Sequence, residues 1–384
     1  MSAAQASPPL ADVLVAGGGL AGAAAALAFL RQGRTVYWLR DTSAPDAAGP
    51  DIFDARVYAI SPGNLDWLSR LGAELDPTRV TDIQAMEIRA QQRGPLRLAA
   101  QQAGVPRMAA IVESGHLLAA LETAIGDAAS PAQGARIVAL HPGDVSIGVS
   151  LDDGTRIDAR LLVAADGASS NLRRLAGIDT CGKDYQHSAV VAHFACQRPH
   201  RGIACQWFDE ASVLAWLPLP GERLSMVWSQ PSARAEALLQ ANPEELAERV
   251  ARAGEHRFGG LQTLSTIRSF PLQRQRAVRL VAPRLALVGD AAHVVHPLAG
   301  QGINLGFRDI RELVARCTGD PGDVRALARY QAARQLDVRG IEALTDGLFR
   351  LFARPVTGWL GGLGLGIVDA LPSLKTHLVR QALR

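Results

Sequence analysis

Apolar residues in the first forty positions follow two different patterns. The segment DVLVAGGG, Asp12 to Gly19, is a short apolar run that ends in glycines, and the next segment, LAGAAAALAFLRQG, is rich in alanine and leucine. A short apolar run bounded by glycine is typical of a buried strand, whereas the longer segment favours a helix. RTVYWLRD, residues 34–41, has the composition of a second strand. This order predicts a βαβ unit with parallel strands.

Two later strands end in the same way as the first. ARLLVAADGASS, residues 159–170, and LALVGD, residues 285–290, are apolar runs that pass into turns of small residues. In a parallel sheet, ligands bind at the carboxyl ends of the strands. We therefore expect the three turns to surround one ligand.

The pattern changes between about residues 180 and 270. Short segments rich in valine and tryptophan alternate there with turn residues, which indicates an antiparallel sheet. Its large aromatic residues either line an apolar cavity or form ordinary sheet core; they are Trp207, Phe208, Trp216 and Trp228. From Asp323 onward the pattern is helical.

We predict that the antiparallel segment is a second domain inserted into the first. At 384 residues the chain is long for one compact core, which agrees with more than one domain. The predicted boundaries are 8–180 for the first part of the ligand-binding domain, 181–272 for the inserted domain, 273–340 for the second part and 341–384 for a C-terminal helical region.

Charge and cysteine content exclude several classes of protein. The 40 basic and 37 acidic residues nearly balance at a net charge of +3, and no run of like charge suggests nucleic-acid binding. The four cysteines form no CxxC pair, so we expect no metal site and interpret them as buried thiols of a reducing, cytoplasmic compartment.

Targeting and membrane signals are weak. The first residues lack the charged region of a secretory signal, and no apolar run is long enough to span a bilayer. The nearest run is glycine-rich and interrupted by Asp369; it extends from Pro355 to Pro372. This segment either packs on the protein as a helix or contacts a membrane or a partner.

The first turn has the spacing of a dinucleotide-binding motif. GGGLAG fits GxGxxG with Gly17, Gly19 and Gly22. The first glycine permits a tight turn, the second lets backbone approach a pyrophosphate, and the third lets the helix pack close to the strand. The N–H groups of the helix start then face the phosphates.

One expectation from this motif is not met. An acidic residue that binds ribose hydroxyls should end the second strand, about twenty residues further on. Arg40 stands there, with Asp41 next. Either Asp41 takes this role or the ribose is held differently.

Two further motifs carry a resemblance to a known family. DGASSNLR, residues 166–173, and GDAAHVVHPLAGQGINLGFRD, residues 289–309, resemble motifs of the para-hydroxybenzoate hydroxylase superfamily of flavin monooxygenases. Within it, DARVYAIS (residues 54–61) and VDALPSLK (residues 368–375) are similar to ubiquinone-biosynthesis hydroxylases of the UbiH/UbiF/VisC type. The resemblance implies an α/β fold: a Rossmann-like FAD-binding domain, an inserted antiparallel-sheet substrate domain and a C-terminal helical region.

The resemblance also implies roles for residues of the third motif. Asp290, after Gly289, would hydrogen-bond the ribityl chain of FAD, and Pro297 would lie against the flavin ring. His296 would face the substrate side. The catalytic candidates are Pro297, His296 and Gly300.

The rest of that motif begins a helix. By resemblance, the N–H groups of Gly300, Gly302 and Ile303 lie near the pyrimidine end of the flavin, where reduction places negative charge. Asn304 would cap the helix or contact the flavin edge. We interpret His293 as a hydrogen-bonded structural residue.

The other two motifs add cofactor contacts. Asp166 would support its turn, and Arg173 would pair with it or with a phosphate. Arg56 matches an arginine that lies near the cofactor in relatives, although a structural ion pair is the alternative for both arginines. The chain departs from the family at Ser114, where relatives commonly have Asn.

The implied activity is hydroxylation of an aromatic ring. NAD(P)H would reduce FAD, reduced flavin and O₂ would form a C4a-hydroperoxyflavin, and a polyprenylated phenol or benzoquinol of ubiquinone biosynthesis would accept one oxygen atom. A lipid-tailed substrate implies peripheral contact with the inner membrane or delivery within a protein assembly. The alternatives are a hydroxylase of a small soluble aromatic and a non-catalytic flavin-binding accessory protein.

Overall fold

The computed structural model describes residues 10–40, 53–90, 96–209, 212–295 and 302–353. Its strands are β1 (Ala11–Ala16), β2 (Val36–Arg40), β3 (Val57–Ile60), β4 (Thr81–Ile83), β5 (Ala85–Ala90), β6 (Leu96–Ala99), β7 (Ala109–Glu113), β8 (Ser130–Gln133), β9 (Ile137–Pro142), β10 (Ile147–Leu151), β11 (Arg156–Ala164), β12 (Thr180–Cys196), β13 (Ile203–Phe208), β14 (Val213–Leu219), β15 (Arg223–Pro231), β16 (Leu261–Thr263), β17 (Arg268–Ala277), β18 (Val281–Ala282), β19 (Leu285–Leu287) and β20 (His293–Val294). Its α-helices are α1 (Leu20–Arg31), α2 (Pro62–Arg70), α3 (Ser114–Ile125), α4 (Asn171–Leu175), α5 (Ser232–Leu239), α6 (Pro243–Ala253), α7 (Gly302–Arg316) and α8 (Val324–Ala353).

The first sheet contains the predicted parallel strands. Its order is β18-β19-β11-β1-β2-β8, and the pairs β19–β11, β11–β1, β1–β2 and β2–β8 are all parallel. Ala16 lies opposite Ala164 and Leu39, and Ala164 lies opposite Leu287. The carboxyl ends of β1, β11 and β19 therefore meet at one edge, as the sequence predicted.

The alanine-rich helix α1 covers this sheet closely. Ala23 to Ala28 are at most 3% exposed, and α1 packs against both α3 and α7. Alanine side chains permit a short distance between helix and sheet. Helix α1 starts at Leu20, soon after the end of β1, so its first turn lies at the edge where the three strands end.

The second sheet is mostly antiparallel and has two different faces. Its order is β20-β17-β12-β15-β14-β13-β5-β6, and α5 and α6 cover one face. Trp207 and Trp216 lie in the buried cluster beneath these helices, and Trp228 packs against it. These tryptophans therefore form sheet core rather than the wall of an open cavity.

This sheet includes strands from outside residues 181–272. β12 begins at Thr180, β17 ends at Ala277, and β5, β6 and β20 come from the flanking segments. A small sheet, β3-β7-β4, contacts strand β14 of the second sheet through β4 and β7. Helix α8 likewise continues across the predicted boundary at residue 340. The second sheet thus extends beyond the predicted boundaries of the inserted domain.

Two further findings concern the surface. Cys196, Cys205 and Cys317 are buried, but Cys181 is exposed on β12, so the prediction of four buried thiols was wrong at that position. Along the described segments, no helix is long and apolar enough to cross a membrane. The apolar segment Pro355 to Pro372 and the motif at residues 368–375 lie outside the described residues.

Candidate functional site

The first glycine turn has the geometry that its motif predicted. Gly17 has φ +138°, and a Cβ there would lie 2.1 Å from the carbonyl oxygen of Ala165. A Cβ on Gly22 would lie 1.9 Å from the carbonyl oxygen of Gly17, so α1 packs too closely for a side chain. A Cβ on Gly19, in contrast, would meet no atom within 4 Å. The first and third glycines are needed by the protein itself, and the second faces open space.

Open space at Gly19 coincides with the start of α1. Gly19 is the N-cap residue, and no described side chain caps the helix. The N–H groups of the first helical turn are therefore available to an anion, and the helix dipole favours one there.

The second turn is held by its own aspartate. The Asp166 carboxylate accepts hydrogen bonds from the Ser170 hydroxyl at 2.5 Å and from the Leu172 N–H at 3.0 Å. This supports the turn as the sequence predicted. Arg173 is buried, and its guanidinium donates to the carbonyl oxygens of Ala168 at 2.8 Å and Ala291 at 2.9 Å. Arg173 thus ties the second turn to the third.

The third turn rests on helices α1 and α7. Gly289 has φ +60°, and a Cβ there would lie 3.0 Å from the Ala21 Cβ of α1. A Cβ on Gly306 of α7 would lie 3.3 Å from the Gly289 Cα. Each of the three turns therefore contacts the other two, directly or through one side chain.

Asp290 follows Gly289 in the short turn after strand β19. Its side chain is accessible to solvent. The surrounding protein nevertheless raises its pKa by desolvation, an effect that His293 and Arg56 oppose and Asp309 reinforces. A partly desolvated carboxyl that remains accessible is suited to accept hydrogen bonds from a ligand's hydroxyl groups.

Arg56 and the β3 residue Tyr58 lie near Asp290. Arg56 is exposed, and its charge acts on both Asp290 and Tyr58. Burial raises the pKa of Tyr58, and the neighbouring Ser114, at the start of α3, opposes that rise. Ser114, where the sequence resemblance led us to expect Asn, thus lies beside Tyr58.

Asp54 fixes the position of this strand. Its carboxylate accepts the N–H of Arg56 at 2.9 Å and the N–H of Gly115 at 3.0 Å. Its own N–H donates to Glu113, which also forms an ion pair with Arg79 at 2.8 Å. The backbone before Arg56 is therefore held to the start of α3.

Gly302, Ile303 and Asn304 form the first turn of α7. The Asn304 amide is buried: its oxygen accepts the Ser61 N–H at 2.9 Å and its nitrogen donates to the Ala59 carbonyl at 2.7 Å. Asn304 thus joins α7 to the end of β3. A contact of these three residues with the flavin stays a prediction.

Four predicted site residues lie outside the described part of the chain: Asp41, His296, Pro297 and Gly300. Their roles also stay predictions. The last three of these lie between Val295, which follows β20, and Gly302, the first residue of α7.

A buried charge cluster behind the third turn was missed by sequence reasoning. Asp309 of α7 accepts the Gly289 N–H at 2.9 Å, and its carboxylate lies 2.8 Å from His293 Nε2. Arg334 of α8 donates to the other carboxylate oxygen at 2.6 Å. The position of Asp309 at the end of the third motif could have indicated its role, but nothing in the sequence indicated Arg334 as its partner.

His293 belongs to this cluster, which agrees with its interpretation as a structural residue. Burial alone would lower the pKa of His293, but the neighbouring Asp309 carboxylate outweighs it and raises that pKa. Conversely, burial opposes ionisation of Asp309, but His293 and Arg334 together lower its pKa. The cluster is thus a set of paired charges that holds the Gly289–Asp290 turn from behind.

These features fit a dinucleotide with a polyhydroxylated chain. The uncapped start of α1, with open space at Gly19, suits a pyrophosphate. The accessible carboxyl of Asp290 suits hydroxyl groups. A protein-family model described as "FAD binding domain" matches residues 10–343.

The chain belongs to this FAD-binding family. FAD is accordingly its cofactor, and the resemblance inferred from the three motifs is confirmed.

Curated relatives match the chain over nearly its whole length. The ubiquinone hydroxylase UbiL of Rhodospirillum rubrum is 36% identical over 97% of this chain and 90% of its own length. The 3-demethoxyubiquinol 3-hydroxylase of Escherichia coli is 30% identical over 97% of this chain and 98% of its own. The mitochondrial ubiquinone biosynthesis monooxygenase COQ6 of Rattus norvegicus is also 30% identical. The chain is an enzyme of this FAD-dependent hydroxylase class.

Solved structures confirm the α/β fold. Pseudomonas aeruginosa PqsL, in complex with 2-aminobenzoylacetate, has a TM-score of 0.78 at 24% identity and covers 94% of this chain and 100% of its own. The p-nitrophenol 4-monooxygenase PnpA of Pseudomonas putida has a TM-score of 0.77 at 14% identity, covering 97% of this chain and 98% of its own.

Proposed function

We propose that the protein hydroxylates the aromatic ring of a polyprenylated phenol or benzoquinol in ubiquinone biosynthesis, with NAD(P)H as electron donor and O₂ as oxygen donor. One observation carries this proposal: relatives that are ubiquinone hydroxylases match 97% of the chain at 30–36% identity. In this proposal, the three turns at the edge of the first sheet would bind the cofactor.

FAD, when bound, supplies the oxygen-transfer chemistry and accepts electrons from the nicotinamide donor. The protein's task is to bind and orient the cofactor and the substrate and to exclude water from them. The start of α1 at Gly19 would hold the pyrophosphate, Asp166 would maintain the second turn, and Asp290 would accept hydrogen bonds from the ribityl hydroxyls.

The face of the second sheet opposite the tryptophans suits an apolar substrate. Ala215 of β14 lies opposite Gln206 of β13 and Val227 of β15, and all three side chains are partly exposed. The small, apolar side chains of Ala215 and Val227 suit a ring and the first part of a prenyl chain.

The same face is connected to the cofactor side of the molecule. His193 of β12 lies on it, and its Nε2 is 2.8 Å from the carbonyl oxygen of Asp54. Asp54 in turn fixes the backbone before Arg56. A substrate on this sheet would therefore lie between its face and the strand that carries Arg56 and Tyr58. We also propose that Pro297, His296 and Gly300 complete the cofactor and substrate sides of this space.

A lipid-tailed substrate also implies contact with a membrane or a delivering partner. We assign this contact to the apolar segment Pro355 to Pro372. Removing that segment should reduce sedimentation of the protein with phospholipid vesicles, while flavin content stays unchanged. Equal sedimentation of the two forms would contradict the assignment.

Quinone profiling tests the proposed function. A deletion strain should accumulate a prenylated intermediate that lacks one ring hydroxyl group, and the intact gene should restore ubiquinone. A variant with Asp290→Ala serves as the matched control and should not restore it. A normal quinone profile in the deletion strain would refute the proposal, and activity on a soluble aromatic would then identify the alternative.

A further inference from the structure

The second strand of the dinucleotide-binding unit ends in an arginine that holds a carboxylate. Arg40, the last residue of β2, donates from Nη1 to Oε1 of Glu122 at 2.6 Å. Glu122 belongs to α3, which packs against α1. An acidic group is therefore present at the end of β2, although it comes from a different element.

This ion pair is connected to the first glycine turn. The guanidinium carbon of Arg40 lies 5.0 Å from the centroid of the Trp38 ring, and Trp38 Nε1 donates to the carbonyl oxygen of Gly17 at 2.9 Å. One continuous set of contacts thus runs from the pyrophosphate turn through Trp38 and Arg40 to Glu122.

Part of the Glu122 carboxylate is available to a ligand. Its Oε1 is occupied by Arg40, while its Oε2 makes no hydrogen bond or ion pair with any residue that the structure describes. Its side chain is 35% exposed. A carboxylate oxygen that is accessible at this position can accept a hydrogen bond from a hydroxyl group.

Charge explains why the two residues occur together. Arg40 balances the negative charge of Glu122 through Oε1 and leaves Oε2 as an acceptor. Dinucleotide-binding units usually place the ribose acceptor at the end of the second strand itself.

We propose that Glu122, held by Arg40, is the acceptor for the adenosine ribose hydroxyls of FAD in this protein. Helix α3 thereby supplies the group that β2 lacks. Glu122 is a binding residue, and Arg40 is a positioning residue that acts through it.

Titration of FAD into apoprotein, followed by quenching of flavin fluorescence, tests this role without any substrate. Glu122→Gln should raise the Kd for FAD about tenfold or more, because it replaces a charged acceptor. Arg40→Gln should raise it by a smaller factor. Glu245→Gln is the matched control, since Glu245 forms a comparable ion pair with Arg249 on α6 and lies in the second sheet's helices.

FAD analogues made with 2′-deoxyadenosine and 3′-deoxyadenosine identify the contact. The unmodified protein should bind at least one analogue more weakly than FAD, and Glu122→Gln should lose that discrimination. The proposal would be overturned if Glu122→Gln weakened the binding of FAD and of both analogues by the same factor. It would also be overturned if Glu122→Gln and Glu245→Gln had the same Kd for FAD. In that second case, weakened and non-discriminating binding by Asp41→Asn would assign the ribose to Asp41. Thermal unfolding of each apoprotein verifies that the variants fold.

Discussion

At the sheet edge where the three turns meet, some residues are required for packing of the apoprotein, whereas others leave space for a ligand. Gly22 and Gly19 illustrate the difference, although both belong to the same motif. A Cβ on Gly22 would overlap the carbonyl oxygen of Gly17, whereas a Cβ on Gly19 would meet nothing. The two glycines therefore respond differently to substitution.

We expect Gly19→Ala to leave the free energy of unfolding of the apoprotein within about 1 kcal/mol of the unmodified value. It should nevertheless weaken FAD binding, because the new methyl group occupies the space for the pyrophosphate. Gly22→Ala should destabilise the apoprotein itself by about 1–3 kcal/mol, since the extra atom overpacks the turn. Urea unfolding of both apoproteins measures the free energy of unfolding, and FAD titration measures the Kd for FAD. Equal destabilisation of the two apoproteins would contradict the division.

Asp290 is the residue whose loss should affect the cofactor most directly. Asp290→Ala removes an accessible carboxyl from the turn after β19, so the purified variant should lose most of its bound flavin. Because the side chain is not part of the buried core, unfolding of the apoprotein should change little. Flavin absorbance per protein is the measurement, and a fully yellow variant would refute the role assigned to Asp290.

Helices α7 and α8 act together on one element, the third turn. Asp309 of α7 binds the Gly289 N–H, Arg334 of α8 binds Asp309, and Tyr330 of α8 donates to the Leu287 carbonyl oxygen at 2.7 Å. The end of β19 is thus fixed by two helices that follow it in the chain.

Removing one charge from this cluster should be costly. Asp309→Asn leaves buried Arg334 with the more exposed Asp337 carboxylate and removes the carboxylate that faces His293, and we expect a loss of about 3–5 kcal/mol in the free energy of unfolding and weaker FAD binding. Asp320→Asn is the control, because Asp320 pairs with Arg284 at 2.9 Å but is 38% exposed. A smaller loss for Asp309→Asn than for this control would argue against the buried cluster.

The pH dependence of stability should report the proton on His293. Its pKa is raised above 6.5, so its ion pair with Asp309 contributes fully below pH 6.5 and is lost as pH rises through the higher folded-state value. Asp309 behaves oppositely: its pKa lies below 3.8, so its contribution is present above pH 3.8 and lost as pH falls through the lower value.

The difference in free energy of unfolding between the unmodified protein and His293→Gln should therefore be largest near pH 6 and shrink toward alkaline pH. Denaturant titrations across this range provide the measurement. A difference that stays constant with pH would mean that His293 carries no proton in the folded protein.

At the scale of the whole molecule, the two large sheets cannot be separated along the predicted boundaries. Strand β13 pairs in parallel with β5, which precedes it by more than a hundred residues, and β12 pairs with β17 as far as Ala277. A fragment of residues 181–272 would expose the edge of β13 and lose part of β17.

We expect this fragment, expressed alone, to show no cooperative unfolding transition, because an unpaired edge strand and a shortened sheet leave its core incomplete. The complete chain should unfold its second sheet cooperatively. Circular dichroism during urea titration compares the two. A cooperative transition of the fragment would show that residues 181–272 form an independent domain.

The sequence by itself determined the local parts of this protein. Apolar runs that end in glycine predicted β1, β11 and β19, and the alanine-rich segment predicted α1, because strand and helix periods are properties of neighbouring residues. Motif spacing indicated the Gly17–Gly22 turn and, through resemblance, FAD. These signals are local, so they needed no knowledge of the fold.

Only the tertiary structure decided which distant groups meet. Arg334 reaches Asp309, Glu122 reaches the end of β2 through Arg40, and β5 joins the second sheet, although no pattern near these residues indicates a partner. Ion pairs and sheet pairing depend on distances of a few ångströms between segments far apart in the chain. Such distances are set by how helices and sheets pack, which local sequence does not encode.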